Sequence, residues 1–195
     1  MTHANDLGEP HAPTPTPGPS PLSPFSPFSA FSPLSSPLSA DPVDGWQDVR
    51  DRLDLRLLVD TYASALDRRS TRLFASLFDE DAELIMNLPP GTGRRPLVFD
   101  GRDGWASALS VLEPCVVTTH FVGNHTVTLS GDSATGETYC LAHEIRPAEA
   151  GHRMRVRSIR YRDSYRRTAG RWRFARRVVT VDWTEDRVLV SPSAG

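Results

Sequence analysis

The apolar and polar residues of this chain follow different patterns in its successive parts. Residues 1–45 alternate proline and serine with scattered phenylalanine and leucine, as in "SPLSPFSPFSAFSPL", and no apolar face repeats. Proline removes backbone donors and disfavours helix in the residue before it. We therefore predict a disordered tail over residues 1–45, followed by one folded domain over residues 46–190.

The first part of the folded domain has helical spacing. In "VRDRLDLRLLVDTYASALDRR" apolar residues recur every three or four positions, which predicts an amphipathic helix. These residues are Leu53, Leu57, Leu58, Tyr62 and Ala65. A second helix is predicted over "STRLFASLF", then a strand over "AELIMNL", a loop, a short strand at "LVFDG" and a third helix.

The pattern changes to that of strands after Cys115. Four strand-like runs follow, at residues 116–130, 135–146, 153–167 and 171–183, and "SGDSATG" and "TAGR" have the composition of hairpin turns. Helices followed by an antiparallel meander predict an α+β fold. We expect a curved, mainly antiparallel sheet wrapped around the N-terminal helices, which forms a cone with one open mouth. Such a mouth is suited to a hydrophobic small molecule.

Alternation within the strands identifies candidate pocket residues. In "ETYCLAHEI" the odd-numbered positions are mainly apolar, so we expect His143 to point inward beside Tyr139. In the run 116–130, His120 and Asn124 share one face and His125 lies on the other. Both faces are partly apolar, so periodicity leaves the orientation of His120 and Asn124 open.

A carboxylate, Asp67, ends the first predicted helix. Its position is typical of a surface residue at a helix C-terminus. If it turns into the cone, it can accept a hydrogen bond from an imidazole, fix the tautomer and raise the basicity of that ring. An Asp–His pair in an apolar pocket can act as a general acid and base near neutral pH. Arg177, in the last strand, could bind an anionic substrate group or form a structural ion pair.

Composition and motifs argue against several classes of partner. The net charge is −2, and the arginines of residues 153–177 mostly alternate as on a solvated sheet face, so we expect no nucleic-acid partner. No apolar run approaches a membrane span. The sequence has no HxH, HExxH, CxxC, GxGxxG or P-loop motif, so we expect no metal and no cofactor. Cys115 and Cys140 are expected to be buried thiols in a cytoplasmic protein.

Four segments together resemble the SnoaL-like family, which has the nuclear-transport-factor-two-like cone fold. They are "LLVDTYASALDRRSTRLFASLFDEDAEL", "FDGRDG", "TTHFVGNHTV" and "RYRDSYRRTAGRWRFARRVVTVDW", and the resemblance spans residues 46–187. Within this superfamily the chain is similar to scytalone dehydratase and bile acid 7-alpha-dehydratase, which are cofactor-free enzymes with an Asp–His pair and tyrosine help. The resemblance also implies a homodimer paired through the open sheet face, and Tyr161 and Tyr165 are candidate contacts.

The resemblance implies roles for particular residues. Asp67 and His120 match the catalytic pair, His143 matches the second histidine of scytalone dehydratase, and Tyr62 matches the tyrosine of the bile acid enzyme. Arg177 matches a recurrent arginine of the last strand. Leu66 stands where scytalone dehydratase has a tyrosine, which argues against a hydroxynaphthalene-type substrate.

The expected function is therefore that of a cofactor-independent lyase or isomerase on a hydrophobic cyclic or polyketide-like molecule. Candidate residues fall into two groups by role: catalytic Asp67, His120, Tyr62 and His143, and substrate-binding Asn124, Tyr139 and Arg177. One alternative is a non-catalytic small-molecule-binding or assembly module, since this fold hosts many such modules. A polyketide cyclase is another. Epoxide hydrolysis ranks last, because the sequence offers no second inward aspartate.

Overall fold

The apolar repeats of residues 46–69 form one long helix, and the strand runs after Cys115 form four strands. The computed structural model describes residues 42–87, 95–149 and 151–189, which contain three helices and six strands in all. The helices are α1 (Pro42–Asp67), α2 (Thr71–Ser76) and α3 (Gly101–Ser110). The strands are β1 (Phe78–Met86), β2 (Leu97–Asp100), β3 (Val117–Ser130), β4 (Ser133–Ala148), β5 (Gly151–Thr168) and β6 (Arg171–Leu189). Apart from its last four residues, the predicted tail lies outside the described residues.

All six strands of the described residues form one sheet, in the order β2-β1-β6-β5-β4-β3. Strands β3 to β6 are a continuous antiparallel meander, whereas β1 pairs with β6 in parallel. The turn between β3 and β4 has Gly131 at positive φ, and the turn between β5 and β6 has Ala169 and Gly170 there, as the hairpin signals predicted. The predicted α+β fold with a curved sheet is confirmed.

Helix α1 packs its apolar side against the concave face of the sheet. The side that enters the core is rotated from the predicted one, because Leu53 and Leu57 are exposed. Three of the five predicted residues, Leu58, Tyr62 and Ala65, are buried. The others that enter the core are Leu55, Val59, Ala63 and Leu66. Polar contacts hold the same helix to the sheet, since Arg56 donates to the carbonyl of Gly123 at 2.8 Å and Asp51 receives two bonds from Arg167.

Aromatic rings fill the closed end of the cone. Phe78 stacks on Trp105 with ring centroids 4.3 Å apart, and Tyr62 meets Phe74 and Phe174 at 5.3 and 5.7 Å. Such pairs contribute stabilisation beyond the burial of their area. Through Tyr62 they anchor the C-terminal part of α1, so the position of its last residue, Asp67, is fixed relative to the sheet.

The residues exposed on the outer face of the sheet are not the two tyrosines that were expected there. Tyr161 and Tyr165, expected to be exposed dimer contacts, are buried in the core, because they alternate along β5 with outward arginines such as Arg160 and Arg162. The exposed apolar residues of the outer face include Phe121 and Leu141, which are paired on neighbouring strands.

Candidate active site

Asp67 and His120 meet at the point where α1 ends against β3. The Nδ1 atom of His120 lies 2.7 Å from Oδ1 of Asp67, and the backbone N–H of His120 donates to Oδ2 at 3.0 Å. The carboxylate therefore engages both the ring and the main chain of the same residue. This double attachment fixes the orientation of the imidazole.

The charge on Asp67 determines which ring nitrogen carries the proton. Burial acts to raise the pKa of Asp67, but the hydrogen bonds from the ring and backbone of His120 and from Thr118 outweigh it and hold the pKa below its usual value. An ionised carboxylate only accepts hydrogen bonds, so the Nδ1 atom of His120 carries the hydrogen. In the neutral ring the lone pair is then on Nε2, which is the arrangement of a general base.

A bracing arginine holds this end of α1 in place. Arg69 has a positive φ of 54°, which is uncommon for a residue with a side chain. Its guanidinium donates to the hydroxyl of Thr118 at 2.7 Å and to the carbonyl of Leu66 at 2.7 Å. Thr118 in turn donates to Oδ1 of Asp67 at 2.9 Å. Neither Arg69 nor Thr118 was predicted, since a surface arginine near a helix end gives no distinctive signal.

His120 separates Asp67 from a partly open cavity of about 290 Å³. The side chain of His120 is 5% exposed, and it lines the cavity, whereas Asp67 lines a shallow groove on the other side of the ring. Most of the cavity wall is apolar and consists of Leu66, Met86, Leu97, Ala108, Val111, Leu112, Ile159, Val179 and Val181. A cavity of this kind suits an apolar ring compound next to a base.

Two tyrosines place hydroxyl-bearing rings on the same wall. Tyr62 and Tyr161 both line the cavity and both are buried. Burial raises the pKa of Tyr62 to about 12, while the guanidinium of Arg177 acts to lower it. Burial also raises the pKa of Tyr161. Both hydroxyls are therefore neutral at pH 7 and keep a hydrogen that can be donated, and the Tyr161 hydroxyl is hydrogen-bonded to Cys140. Sequence analysis placed Tyr62 here, and it missed Tyr161.

Arg177 was expected as a substrate-binding residue, and its position contradicts this. It is fully buried, its Nε and Nη2 atoms bind Asp163 at 2.8 and 2.7 Å, and it is absent from the cavity wall. Its guanidinium lies 4.1 Å from the ring centroid of Tyr62. Burial alone would lower the pKa of Arg177, but the charge of Asp163 raises it. Arg177 is therefore a permanent cation behind the tyrosine.

The predicted orientation of β4 is also wrong. Tyr139 is exposed and stacks with Arg160 on the outer face, and His143, on the same side of the strand, does not line the cavity. The inward positions are occupied instead by small residues such as Cys140 and Ala142. The larger side chains gave the outward face the stronger apolar signal. Inside a cone, however, small side chains are needed to leave room for α1 and the cavity.

A β-bulge in β3 changes which residues of this strand point inward, and two further predictions depended on a regular alternation. The pairing with β4 shifts between Val122 and His125, so one extra residue is inserted. Asn124 is consequently exposed and is not a substrate-binding residue, and His125 faces the same side as His120. The ring of His125 lies 3.3 Å from the Tyr165 hydroxyl, away from the cavity.

A charged section of the cavity wall was not predicted. Glu144, Arg155 and Arg157 line the cavity beside Asn87 and Thr184. Strand alternation in β5 would place Arg155 and Arg157 on the inward face. The sequence analysis assigned all arginines of this strand to the solvent-facing side. Among the residues that the structure describes, no group of histidine, cysteine, aspartate and glutamate side chains could hold a metal ion.

Two other expectations concern the rest of the molecule. Cys115 and Cys140 are buried and unpaired. No helix within the described ranges is long and apolar enough to cross a membrane.

Comparison with known proteins establishes the family. The SnoaL-like domain matches residues 47–178, so the chain belongs to the SnoaL-like family. It is 32% identical over 136 residues to the uncharacterized protein Rv2910c of Mycobacterium tuberculosis, a match that covers 68% of this chain and 86% of that one.

Solved structures show the same fold. The LinA-type3 hexachlorocyclohexane dehydrochlorinase of Novosphingobium barchaimii LL02 is 19% identical, with a TM-score of 0.63 over 75% of this chain and 99% of that one. A candidate scytalone dehydratase of Novosphingobium aromaticivorans DSM 12444 is 21% identical, with a TM-score of 0.59 over 76% and 96% of the two chains. The predicted family and cone fold are thus confirmed.

Proposed function

We propose that this protein is a cofactor-independent lyase or isomerase that moves a proton beside a carbonyl group of a hydrophobic cyclic or polyketide-like molecule. The observation that supports it most is the position of His120. Its ring is held by an ionised carboxylate on one side and lines a mainly apolar cavity on the other. That is the arrangement a general base needs.

The first step is removal of a proton from the carbon next to the carbonyl. His120 Nε2 takes the proton, the C–H electron pair forms the enolate, and Asp67 stabilises the resulting imidazolium. The hydroxyl of Tyr62 donates a hydrogen bond to the carbonyl oxygen as negative charge develops there. Tyr161 is a second hydroxyl on the same wall.

The second step depends on the substrate. In an isomerisation the imidazolium of His120 returns the proton to another carbon of the enolate. In a dehydration the same proton goes to a leaving hydroxyl on the β-carbon, and the enolate electrons form the new double bond. His120 serves both steps in this proposal, because His143 faces away from the cavity.

Two structural relatives have names that describe this class of reaction. One is a dehydrochlorinase and another a candidate scytalone dehydratase, and both names describe eliminations. At about one fifth identity these likenesses show only the fold. The proposal therefore rests on the Asp67–His120 geometry and on the lining of the cavity.

Solvent deuterium exchange tests the proposal. Bicyclic ketones and β-hydroxy ketones are incubated with the protein in D₂O, and loss of the α-hydrogen is followed by proton NMR, with enone absorbance reporting elimination. We expect His120→Ala to lower the rate by about 10²–10⁴-fold. His152→Ala is the matched control, because His152 is exposed at the start of β5 and should leave the rate unchanged. Ketones that bind without exchange would support the alternative of a non-catalytic binding module.

We also propose that the protein is a homodimer. The exposed outer face of the sheet carries an apolar row formed by Phe121, Leu141 and Trp183 on strands β3, β4 and β6. Pairing of two such faces would remove this row from water.

A further inference from the structure

The cavity wall contains a buried carboxylate that is neutralised by more than one cation. The Glu144 side chain is 2% exposed, and it contacts Arg146 Nη2 at 2.9 Å and Arg157 Nη1 at 3.2 Å. Arg155, also on the wall, is paired in bidentate fashion with Asp186. Arg146 lies behind Glu144 and is not part of the cavity wall, so the cluster of Glu144, Arg146 and Arg157 carries one net positive charge beside the cavity.

The guanidinium of Arg157 has N–H donors that its ion pair does not use. Within the described parts of the chain its side chain forms one ion pair, with Glu144, and this pair uses a single terminal nitrogen. A guanidinium has five N–H donors in a planar fork. The Arg157 side chain is 27% exposed and lines the cavity, so its remaining donors are accessible to a ligand rather than sealed in the core. This distinguishes it from Arg155, whose fork already holds a carboxylate.

The strand register places Arg157 in the same row as His120. His120 is paired with Ala142 across β3 and β4, and Ala142 is paired with Arg157 across β4 and β5. Neighbouring strands lie about 4.8 Å apart, so the two backbones are separated by about 9–10 Å. Ala142, between them, has a side chain too small to divide the cavity. One ring compound can therefore reach both the imidazole and the guanidinium.

From this arrangement we propose that the cavity binds cyclic substrates carrying an anionic group, a carboxylate in particular, and that Arg157 is the residue that binds it. The apolar ring lies against Leu112, Ile159 and Val179, and the reacting carbon faces His120. Arginine suits this role because its fork matches the two oxygens of a carboxylate. The reaction of such a substrate rests on the proposed function, whereas the binding of its anion does not.

The same geometry disfavours a cationic ligand. Among the described residues of the cavity wall Glu144 is the one carboxylate, and it already lies between Arg146 and Arg157. A ligand ammonium group would have to displace an arginine and would then face the excess positive charge. A neutral ligand would fill the apolar part of the cavity but leave the donors of Arg157 without a partner.

A matched pair of probes tests the proposal. Isothermal titration calorimetry at pH 7.5 compares 2-naphthoate with 2-naphthamide, which has nearly the same shape and no charge. A hydrogen bond to a charged group is worth enough to favour the carboxylate by about 10–100-fold. Arg157→Gln should bring this ratio near one. Arg176→Gln removes the same charge from an exposed ion pair outside the cavity, and it should leave the ratio unchanged.

Three results would overturn the proposal: no binding of 2-naphthoate, equal affinity of the wild-type protein for both probes, or a ratio that persists in Arg157→Gln. Because Arg157→Gln removes one partner of Glu144, its fold is checked by circular dichroism. Arg157→Lys, which keeps the charge without the fork, is the second variant and should give an intermediate ratio. His120→Asn should keep the affinity ratio of 2-naphthoate to 2-naphthamide and should abolish turnover of the substrate. Anion preference without turnover of any substrate would therefore refute the proposed function and leave the anion site standing.

Discussion

The buried ion pair between Asp163 and Arg177 gives the strongest stability prediction. Both side chains are 0% exposed, and two hydrogen bonds of 2.8 and 2.7 Å join them. The ring centroids of Tyr62, Tyr161 and Phe174 lie 4.1–4.3 Å from the guanidinium, and Asp163 is its one carboxylate partner among the described residues. Asp163→Asn would leave an uncompensated cation in the core.

Removing one partner of a buried pair costs about 3–5 kcal/mol. For a domain of this size each kcal/mol lowers the melting temperature by about 2–4 °C, so we expect a fall of about 6–20 °C. Urea titration followed by circular dichroism measures the free energy of unfolding. The double variant Asp163→Asn with Arg177→Met removes the stranded cation and should recover part of the loss.

The matched control is a surface pair. Arg176 and Glu83 are 3.6 Å apart and about half exposed, at 53% and 49%, so Glu83→Gln should cost less than about 1 kcal/mol. If Asp163→Asn destabilises the protein no more than Glu83→Gln does, the Arg177 cation is not sealed in the core and this reasoning is refuted.

Three further predictions concern pH, assembly and the N-terminal segment. Burial, followed by the charge of Arg56, lowers the pKa of His125, although Asp163 opposes this, so folding disfavours the charged ring. Stability should therefore fall as pH drops below about 6.5, and His125→Gln should show a smaller fall in melting temperature between pH 7.5 and 5.5. Leu141→Arg should convert a dimer to a monomer in sedimentation velocity, and a wild-type monomer at micromolar concentration would contradict the homodimer. A chain that begins at Asp44 should keep the melting temperature of the full chain, since the Pro/Ser-rich tail has too little apolar surface to offset ordering. A large loss would show that the tail packs on the domain.

Much of the fold was predictable because its signals are local. The change from three- and four-residue spacing to strand runs after Cys115 predicts the order of helices and strands, and glycine-containing turns predict the hairpins. The α1 face was misjudged because Leu53 and Leu57 fit the same helical spacing as the true core residues. Only packing against the sheet decides which of two neighbouring stripes is buried.

The candidate site was less predictable because it depends on strand parity. The inserted residue at Gly123 and Asn124 reverses the face of every later residue in β3, and a glycine inside a strand pattern is a weak signal of such a bulge. In β4 the inward residues beside His120, Cys140 and Ala142, are small and carry little hydrophobic signal, and the next inward residue, Glu144, is charged. Asp67 and His120 precede the bulge, so the contact between them is unaffected by it.

The tautomer of His120 tests the central claim most directly, because it needs no substrate. Nitrogen-15 NMR at pH 7.5 distinguishes protonated from unprotonated ring nitrogens. We predict that in the neutral ring of His120 the Nδ1 atom carries the hydrogen and Nε2 is unprotonated. Asp67→Asn should move the proton toward Nε2, because the amide can donate to Nδ1. A wild-type ring with its proton on Nε2 alone would contradict the assignment of His120 as the base.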